Sequence, residues 1–315
     1  MKFILCFILL INAQIIFADD LSFKEIQPGI YVHQGEHLDV DHGYHGDICN
    51  IGFIIGDQSV AVIDTGGSLK IGRRLLKVIK EKTSLPISHV INTHVHLDHI
   101  YGNAAFISEN PIFVGHSELP KAMLLLKEFY EITNQNYLNI PPEESIQIPP
   151  SLLISINKPQ EIDLGNRKLR LEAFPSAHTN NDLIVVDINT KTAWLADLMF
   201  TERTPSMDGD IHGWISALEK IEKSNYKVII PGHGTPPTNN IKAIRKIKSY
   251  LELVRNEIRQ AIDDGMDLQE ALDTVARSEK NKWELFDVQN ARNINMVYPI
   301  MAVSYTHLRA HETLI

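Results

Sequence analysis

Short apolar runs separated by turn residues dominate the first third of the chain. Runs of four or five apolar residues bounded by glycine, asparagine or aspartate are typical of strands, whereas apolar residues recurring every three or four positions are typical of helices. Residues 69–82 have this helical spacing, so the pattern predicts one helix among several strands. The predicted strands lie at 29–32, 51–55, 60–63 and 89–92.

The second half of the chain repeats this alternation. Strand-like runs lie at 169–174, 183–186, 193–196 and 228–230, and a helical pattern lies at 211–221. Two sets of strands accompanied by helices predict two sheets packed face to face, with helices on their outer sides. We therefore predict an α+β fold, an αββα sandwich of two mixed sheets flanked by helices.

Two segments extend beyond this predicted core. Residues 117–150 begin with a helical pattern and contain two Pro-Pro pairs, which stop regular structure. This segment either covers a functional site or is an extra packing helix with a surface loop. Residues 237–302 are helical in pattern, with Asp267 as an N-cap, and we expect them to pack on a core domain at 19–236.

Residues 1–18 have the features of a secretory signal peptide. One lysine precedes an apolar run, and the small residue Ala18 lies just before two aspartates. An uncleaved anchor is the alternative, but the run is short for a membrane span and polar residues interrupt it. We expect cleavage after Ala18, export to the periplasm and no stable membrane anchor.

Composition and charge narrow the classes of function. The chain has 315 residues, 44% of them hydrophobic, which is enough for one large core, and its formal net charge is −9. The longest basic cluster, 242–248, has a helical pattern and is interpreted as a solvent-exposed helix face. We therefore expect no nucleic-acid partner. Removal of the signal peptide would leave Cys49 as the single cysteine, which excludes an intramolecular disulfide.

Four of six consecutive residues in one stretch can bind a metal ion. His94 and His96 alternate with an apolar residue, so at the end of a strand both imidazoles would point to the same side. Asp98 and His99 follow where the chain turns into a helical stretch, and they can face a second ion. The motif predicts the start of two neighbouring metal sites.

Three later side chains complete the predicted ligand set. His178 would complete the first site and His233 the second, with Asp197 as the bridge between them. Imidazole and carboxylate ligands favour zinc, with iron or manganese as alternatives. Cys49 lies near the predicted site but is left out of the set, because a buried thiol is its simpler role. The predicted cofactor is two Zn²⁺ ions.

Two such ions predict a hydrolytic mechanism. At a separation of about 3.5 to 4 Å they lower the pKa of a bridging water and hold a hydroxide as nucleophile. Asp98 is the predicted catalytic residue, which would orient the hydroxide and take its proton. Asp64, at the end of a strand, either fixes the tautomer of a ligand histidine or caps a turn. The expected partner is a small-molecule substrate.

The order of these ligands resembles that of the metallo-β-lactamase superfamily over residues 26–236. Five runs around the ligands resemble the quinoprotein relay system zinc metallohydrolases, namely 45–53, 61–67, 91–106, 177–183 and 208–214. The resemblance implies the αββα fold, with the metals at one edge between the sheets. It also implies an exported enzyme associated with a pyrroloquinoline-quinone (PQQ) quinoprotein dehydrogenase system.

Several further residues are candidates for binding the substrate. His45 lies in a loop punctuated by glycines, and Asp208 and His212 follow the predicted bridging aspartate by a short connection. Arg203 and Tyr101 are candidates for binding a substrate carboxylate. We expect both loops to border the site.

The leading hypothesis is a periplasmic dinuclear zinc metallohydrolase of an ester, thioester, lactone or related bond. A β-lactam hydrolase is one alternative, although His178 is followed by Thr-Asn-Asn-Asp rather than the Thr-Pro-Gly run of broad-spectrum lactamases. A mononuclear iron oxygenase is a second alternative. It would need ligands for one metal ion only, so the second set of ligands argues against it. A non-enzymatic accessory protein of a quinoprotein system is the third.

The end of the chain has a different character. Residues 303–313 resemble one reading frame of a transposase-based sequencing-library adapter. On this hypothesis residues 303–315 are an artefact, and His307 and His311 are not metal ligands.

Overall fold

The strands of this protein form two sheets in the computed structural model, which describes residues 21–40 and 43–313. The predicted signal peptide at 1–18 lies outside the described residues. The first sheet follows chain order and contains β1 (Lys24–Gln27), β2 (Ile30–His33), β3 (Ile51–Ile55), β4 (Val60–Ile63), β5 (Ile87–Ile91), β6 (Ile112–His116) and β7 (Leu152–Ile154).

The second sheet has the spatial order β12-β11-β10-β9-β8. Its strands are β8 (Gln160–Asp163), β9 (Lys168–Ala173), β10 (Leu183–Asp187), β11 (Thr192–Phe200) and β12 (Val228–His233). The helices are α1 (Leu69–Lys82), α2 (Leu97–Ile100), α3 (Leu119–Leu138), α4 (Ile211–Glu222), α5 (Asn240–Asp263), α6 (Leu268–Thr274) and α7 (Phe286–Thr313).

Both sheets are mixed, as the sequence predicts. In the first sheet β1 to β4 pair antiparallel, whereas β4 to β7 pair parallel. In the second sheet β11 and β12 are parallel, and the remaining pairs are antiparallel. Parallel neighbours end at the same edge of a sheet, so the loops after β4, β5 and β6 gather at one edge.

One apolar layer lies between the sheets. Residues of both sheets share it, among them Ile63 and Ile91 from the first and Leu171 and Trp194 from the second. The Trp194 ring passes close to β3, where a Cβ at Gly52 would lie 2.6 Å from it. The interior of the sandwich is therefore closely packed.

Helices cover the outer face of each sheet. Helix α1 begins at the N-cap Ser68 and packs its apolar side on the first sheet. Helices α4 to α7 share one apolar cluster with the second sheet, so residues 237–302 pack on the core. Asp267 begins α6 in a capping box. None of the helices in the described part of the chain combines the length and apolar character that a membrane span requires.

The predicted αββα sandwich is confirmed. The predicted bounds of β3, β4 and α1 match the structure. Strands β1, β6, β7 and β8 have no counterpart in the prediction, because they are short and their alternation is weak. Strand β5 ends at Ile91, so His94 and His96 lie in the connection after the strand rather than at its end.

Candidate metal centre

The predicted ligands meet at one edge between the two sheets. His94 and His96 lie between β5 and α2, and Asp98 and His99 lie on α2. The second sheet contributes the other three, namely His178 before β10, Asp197 within β11 and His233 at the end of β12. All seven are therefore brought together by the packing of two sheets.

Three histidines form the first half of the centre. His96 Nδ1 lies 3.0 Å from His94 Nε2 and 3.1 Å from His178 Nε2. One proton can join only one such pair of nitrogens at a time, whereas a cation among them can accept all three lone pairs. Asp197 Oδ2 lies 3.3 Å from His178 Nε2, and the four residues form one group of potential ligands.

The second half of the centre contains His99, His233 and Asp98. Asp98 Oδ2 lies 3.6 Å from the Nε2 atoms of both histidines. Asp197 also reaches this half, because its Oδ1 lies 3.3 Å from His99 Nε2 and its Oδ2 lies 3.3 Å from His233 Nε2. Asp197 thus contacts both halves, as expected of a bridge.

A local irregularity in β11 places Asp197. The pairing of β11 with β12 shifts in register on both sides of Ala196, and Ala196 itself has a φ of 46°. Such a bulge redirects the following side chain. Gly232 of β12 is required beside it, since a Cβ there would overlap Asp197 Oδ1.

Asp64 and Thr93 hold two of the histidines from outside. Asp64 Oδ2 accepts a hydrogen bond from His99 Nδ1 at 2.8 Å and another from Thr93 Oγ1 at 2.7 Å. Because the Thr93 hydroxyl donates to Asp64, its oxygen can accept from His94 Nδ1 at 3.0 Å. The ring nitrogen that faces the centre is therefore Nε2 in both histidines.

Two more histidines have outer partners of the same kind. His96 Nε2 donates to Asp208 Oδ2 at 2.7 Å, which leaves Nδ1 facing the centre. His178 Nδ1 donates to the Ser206 carbonyl at 2.7 Å, which leaves Nε2 facing the centre. Burial alone would raise the pKa of Asp208, but the hydrogen bond from His96 and neighbouring positive charge lower it to about 2.

His233 lies beside a buried arginine. Its Nδ1 donates to the Ile48 carbonyl at 2.7 Å, so Nε2 faces the centre. Arg203 Nη1 donates to the Leu38 carbonyl at 3.2 Å and lies 3.1 Å from His233 Nδ1. The Arg203 Nε is buried and has no hydrogen-bond partner among the described residues. A positive charge therefore lies next to the second half of the centre.

Burial gives two histidines the protonation state that a metal ligand needs. It lowers the pKa of His178 to about 4 and, with the nearby charge of His99, holds that of His94 well below its usual range. Both imidazoles are neutral at pH 7 and can bind a metal ion. Burial alone would raise the pKa of Asp197, but the histidines around it hold that pKa well below its usual range.

His99 indicates where positive charge is favoured. Burial alone would lower its pKa, but the carboxylates of Asp98, Asp197 and Asp64 hold it well above its usual range. His99 Nε2 and Asp197 Oδ1 are also buried without a hydrogen-bond partner among the described residues. A divalent ion satisfies these atoms and supplies the charge, so the residues fit a metal.

Cys49 lies behind this half of the centre. Its thiol donates to the Asp98 carbonyl at 2.9 Å, and its sulfur is grouped with the ligand atoms of Asp98 and His99. Burial raises the pKa of the thiol, so it is protonated at neutral pH. The hydrogen bond gives Cys49 a role in holding the backbone of α2.

A cavity of about 650 Å³ opens from the centre. His96, Asp98, Asp197 and His233 lie at its floor. Side chains from α3 and α7 form much of its walls. The packing of residues 117–150 therefore places a helix along the site, which is the first of the two alternatives for this segment.

Sequence comparison now places the chain in a family. A sequence model of the metallo-β-lactamase superfamily matches residues 45–233, more than half of the chain. The chain belongs to the metallo-β-lactamase superfamily. The superfamily resemblance predicted from the order of the ligands is confirmed.

Solved structures share the superfamily fold. A metallo-β-lactamase from Pontibacter korlensis has a TM-score of 0.59 at 18% identity, over 74% of this chain and 99% of that one. The stereoselective inverting sec-alkylsulfatase of Pseudomonas sp. has a TM-score of 0.68 at 17% identity, over 88% of this chain and 50% of that one. Identities this low show the fold alone.

One curated relative matches a short stretch of sequence. The linear primary-alkylsulfatase of Pseudomonas sp. (strain ATCC 19151) is 34% identical over 58 residues, which is 18% of this chain and 11% of that protein. The matched stretch thus spans about a tenth of the relative. Together with the His and Asp groups, superfamily membership indicates a hydrolase-type protein that binds divalent metal ions.

Only some of the predicted substrate-binding residues line the cavity. Asp208 and Arg203 line it. Among the described lining residues, neither His45 nor His212 appears, and His45 instead lies 3.3 Å from Glu36. Tyr101 is buried, and its hydroxyl accepts a hydrogen bond from Gln147.

Sequence reasoning missed the residues of α3 and α7 that face the cavity. Tyr130 on α3 and Arg292 on α7 are two of them. The helical pattern of α3 was visible in the sequence, but its direction relative to the metal ligands was not. Arg292 lies more than 50 residues beyond the last ligand, so no local signal connects it with the site.

Proposed function

We propose that this protein is a periplasmic dinuclear zinc metallohydrolase that cleaves an ester, thioester, lactone or related bond in a small molecule. The proposal rests on five histidines that each direct one ring nitrogen into the centre. The other ring nitrogen of each histidine is hydrogen-bonded to a group outside the centre. Such outer partners are typical of metal ligands. Two carboxylates, Asp98 and Asp197, complete two adjacent sites.

The residues would divide between two ions. One Zn²⁺ would be held by His94, His96 and His178, a three-histidine set that leaves a position for water or substrate. The other Zn²⁺ would be held by Asp98, His99 and His233. Asp197 would be shared between the two ions. When bound, such ions lower the pKa of water and polarise an electrophilic centre.

The protein's own residues prepare the reaction around this centre. Asp98 is available as the group that holds and accepts a proton, because its carboxylate lies at the floor of the cavity. Asp208 keeps His96 in the tautomer that presents Nδ1. Arg203 lines the same cavity, where its charge would stabilise an anion that forms during hydrolysis.

A sulfate ester is a second candidate for the bond that is cleaved. The buried guanidinium of Arg203 favours it, because arginine matches the geometry of an oxyanion. The two alkylsulfatases that resemble parts of this chain are consistent with this candidate. β-Lactam hydrolysis stays an alternative within the same chemistry.

Export and a metabolic partner also belong to the proposal. The signal-peptide features of residues 1–18 support a periplasmic location. The likeness of five sequence runs to quinoprotein relay system metallohydrolases supports an association with a PQQ quinoprotein dehydrogenase system. Fractionation of the native host would test the location, since the proposal requires the protein in the periplasmic fraction.

Metal content and turnover test the enzymatic proposal together. The purified protein is analysed for metals by mass spectrometry and assayed with an aryl ester, a thioester, a γ-lactone, a cephalosporin and an alkyl sulfate. We expect two zinc ions per chain and hydrolysis of at least one substrate. His96→Ala should lower that hydrolysis by at least about 100-fold, because the first site loses a ligand.

His89→Gln is the matched control. His89 lies on β5, and its Nδ1 bonds Ser88 rather than a residue of the centre. This variant should keep both metals and full turnover. A single iron per chain would favour the oxygenase alternative, and two zinc ions without turnover of any substrate would favour the accessory-protein alternative.

A further inference from the structure

Helix α3 exposes large apolar side chains along one face. Leu125, Phe129 and Ile132 lie four and three positions apart, so they share one side of the helix, and they are 71%, 62% and 50% exposed. Single exposed apolar residues are ordinary, whereas a continuous apolar surface marks a binding site. We call these three residues the α3 apolar face.

This face continues into the cavity above the metal centre. Phe129 and Ile132 line the cavity, and Tyr137, on the last turn of α3, lines it as well. The same cavity has His96 and Asp98 at its floor. The α3 apolar face and the ligands of the centre therefore border the same cavity.

Further apolar residues line the cavity outside α3. Val40, Met207 and Met296 line it as well. Methionine side chains are flexible and adapt to apolar ligands of different shape. The cavity is thus charged at Arg203 and the metal ligands and mixed elsewhere, because polar residues of α3 and α7 such as Asn136 and Arg292 lie among these apolar side chains.

We infer that the α3 apolar face and the adjoining cavity walls bind a long alkyl chain, so that the substrate is an ester of an amphiphile. This inference rests on the proposed function, because it assigns a substrate class to the same site. A cavity of about 650 Å³ holds far more than a small acyl group. A chain that extends from the floor would bury the exposed side chains of α3.

A second copy of the protein is a less suitable occupant. Phe129 and Ile132 belong both to the exposed face and to the cavity wall. A protein surface packed on them would lie against the cavity mouth and obstruct access to the centre. An alkyl chain covers the same side chains and leaves the reacting group at the floor.

Binding of fatty acids of different length tests the inference without requiring turnover. Butyrate and decanoate, the latter below its micelle-forming concentration, are titrated into the zinc-loaded protein by calorimetry. Each buried methylene strengthens binding by roughly fourfold. If half of the six added methylenes are buried, decanoate should bind about 60-fold more tightly than butyrate.

Two isoleucines provide a matched pair of variants. Ile132→Ser should weaken decanoate binding by about fivefold to tenfold and leave butyrate binding unchanged, since only the long chain reaches α3. Ile188 is 41% exposed and follows β10 at the end of the strand remote from His178, so Ile188→Ser should change neither ligand. Both substitutions are at exposed positions, where serine is compatible with folding.

Three results would overturn the inference. The first is equal affinity for butyrate and decanoate. The second is an unchanged decanoate affinity in Ile132→Ser. The third is a dimer in sedimentation that Ile132→Ser converts to a monomer, because that would assign the α3 apolar face to a second copy.

Turnover separates this inference from the proposed function. Tight decanoate binding without hydrolysis of any ester would keep the chain-binding surface and refute the hydrolase. Hydrolysis of p-nitrophenyl butyrate and p-nitrophenyl decanoate with equal kcat/KM, together with equal binding of the two acids, would keep the hydrolase and refute the chain-binding surface.

Discussion

At the scale of single residues, each histidine of the candidate metal centre has a hydrogen-bond partner on its outer nitrogen. That partner determines which of the two ring nitrogens faces inward. His99 illustrates this, because Asp64 accepts from its Nδ1 in a site where both side chains are buried. Asp64 also bonds the backbone N–H and the hydroxyl of Thr93. These contacts fit the role of Asp64 in fixing a tautomer, and they also tie it to the loop of the ligand histidines rather than to its own turn.

Replacing Asp64 by asparagine should weaken the metal centre. Asp64 has a φ of 52°, a conformation that asparagine tolerates well, so the backbone should be retained. The amide carries no charge and stabilises the ligand form of His99 less well. We expect Asp64→Asn to lower zinc affinity by about tenfold to 100-fold, measured by competition with a chromophoric chelator.

Asp57→Asn is the control for that measurement. Asp57 is exposed in the turn between β3 and β4, and its carboxylate accepts from the Asn166 side chain. The Asp57→Asn variant should bind zinc with the same affinity as the wild type. Equal affinity in Asp64→Asn and Asp57→Asn would show that Asp64 does not tune the ligand.

His33 predicts a pH dependence of stability away from the centre. Burial alone would lower its pKa, but the hydrogen bond and charge of Asp47, at 2.8 Å, raise it above 6.5. A raised folded-state pKa stabilises the fold fully below the unfolded value, and this contribution is lost as pH rises through the folded pKa. The paired imidazolium is worth about 1 kcal/mol at acidic pH.

Thermal unfolding at several pH values measures this contribution. His33→Asn should have a lower Tm than the wild type at pH 5.5, and the difference should shrink as pH rises above neutrality. The subtraction of variant from wild type cancels the pH dependence of metal binding. A difference that grows with pH would contradict the raised pKa.

At the scale of elements, α4 begins directly behind the loop that holds His96. Asp208 in that loop bonds His96, and two residues later Asp210 is the N-cap of α4. Asp210 accepts from the backbone N–H groups of His212 and Gly213 at 3.1 and 3.3 Å. The cap therefore ties the start of the helix to the metal-site loop.

Removing this cap should destabilise the protein modestly. Asp210→Ala leaves two N–H groups of the first turn without an acceptor, at a cost of about 1 kcal/mol. For a chain of this size the Tm should fall by about 2 °C in differential scanning calorimetry. Asp210→Ser, which keeps an oxygen acceptor, should retain most of the stability, and equal losses in both variants would argue against a capping role.

At the scale of the whole molecule, the metal centre joins the two sheets at their shared edge. His94, His96, Asp98 and His99 follow strands of the first sheet, whereas His178, Asp197 and His233 belong to the second. A bound metal favours the folded state because these ligands are far apart in the unfolded chain. Stability should therefore depend on the metal.

Removal of the metal tests this dependence. With free zinc at about 1,000 times its Kd, each ion contributes about 4 kcal/mol, so removal of both ions by a chelator should lower the Tm by about 16 °C. Added zinc should restore it. The Tm of His96→Ala should fall by about half as much, because only its second site is intact, and an unchanged wild-type Tm would show that the fold does not depend on bound metal.

Much of the architecture could be predicted from the chain because it rests on local periodicity. The strands β3 and β4 and the helix α1 follow from apolar spacing alone. Strands β6 and β7 were not recognised, because Pro111 precedes β6 and Pro149-Pro150 precede β7, and proline argues against regular structure. The bounds of β11 were also too short, because the bulge at Ala196 interrupts its pairing.

The sequence by itself determined that the chain carries groups suited to divalent metal ions, because residue types with ligand atoms occur in an order typical of a metallo-β-lactamase. Only the tertiary structure decided which nitrogen of each histidine faces inward, and which helices form the walls of the cavity. Many of those features depend on contacts between distant segments, such as His96 with Asp208, which are 112 residues apart. Such contacts arise from packing and have no local periodicity that a sequence can display.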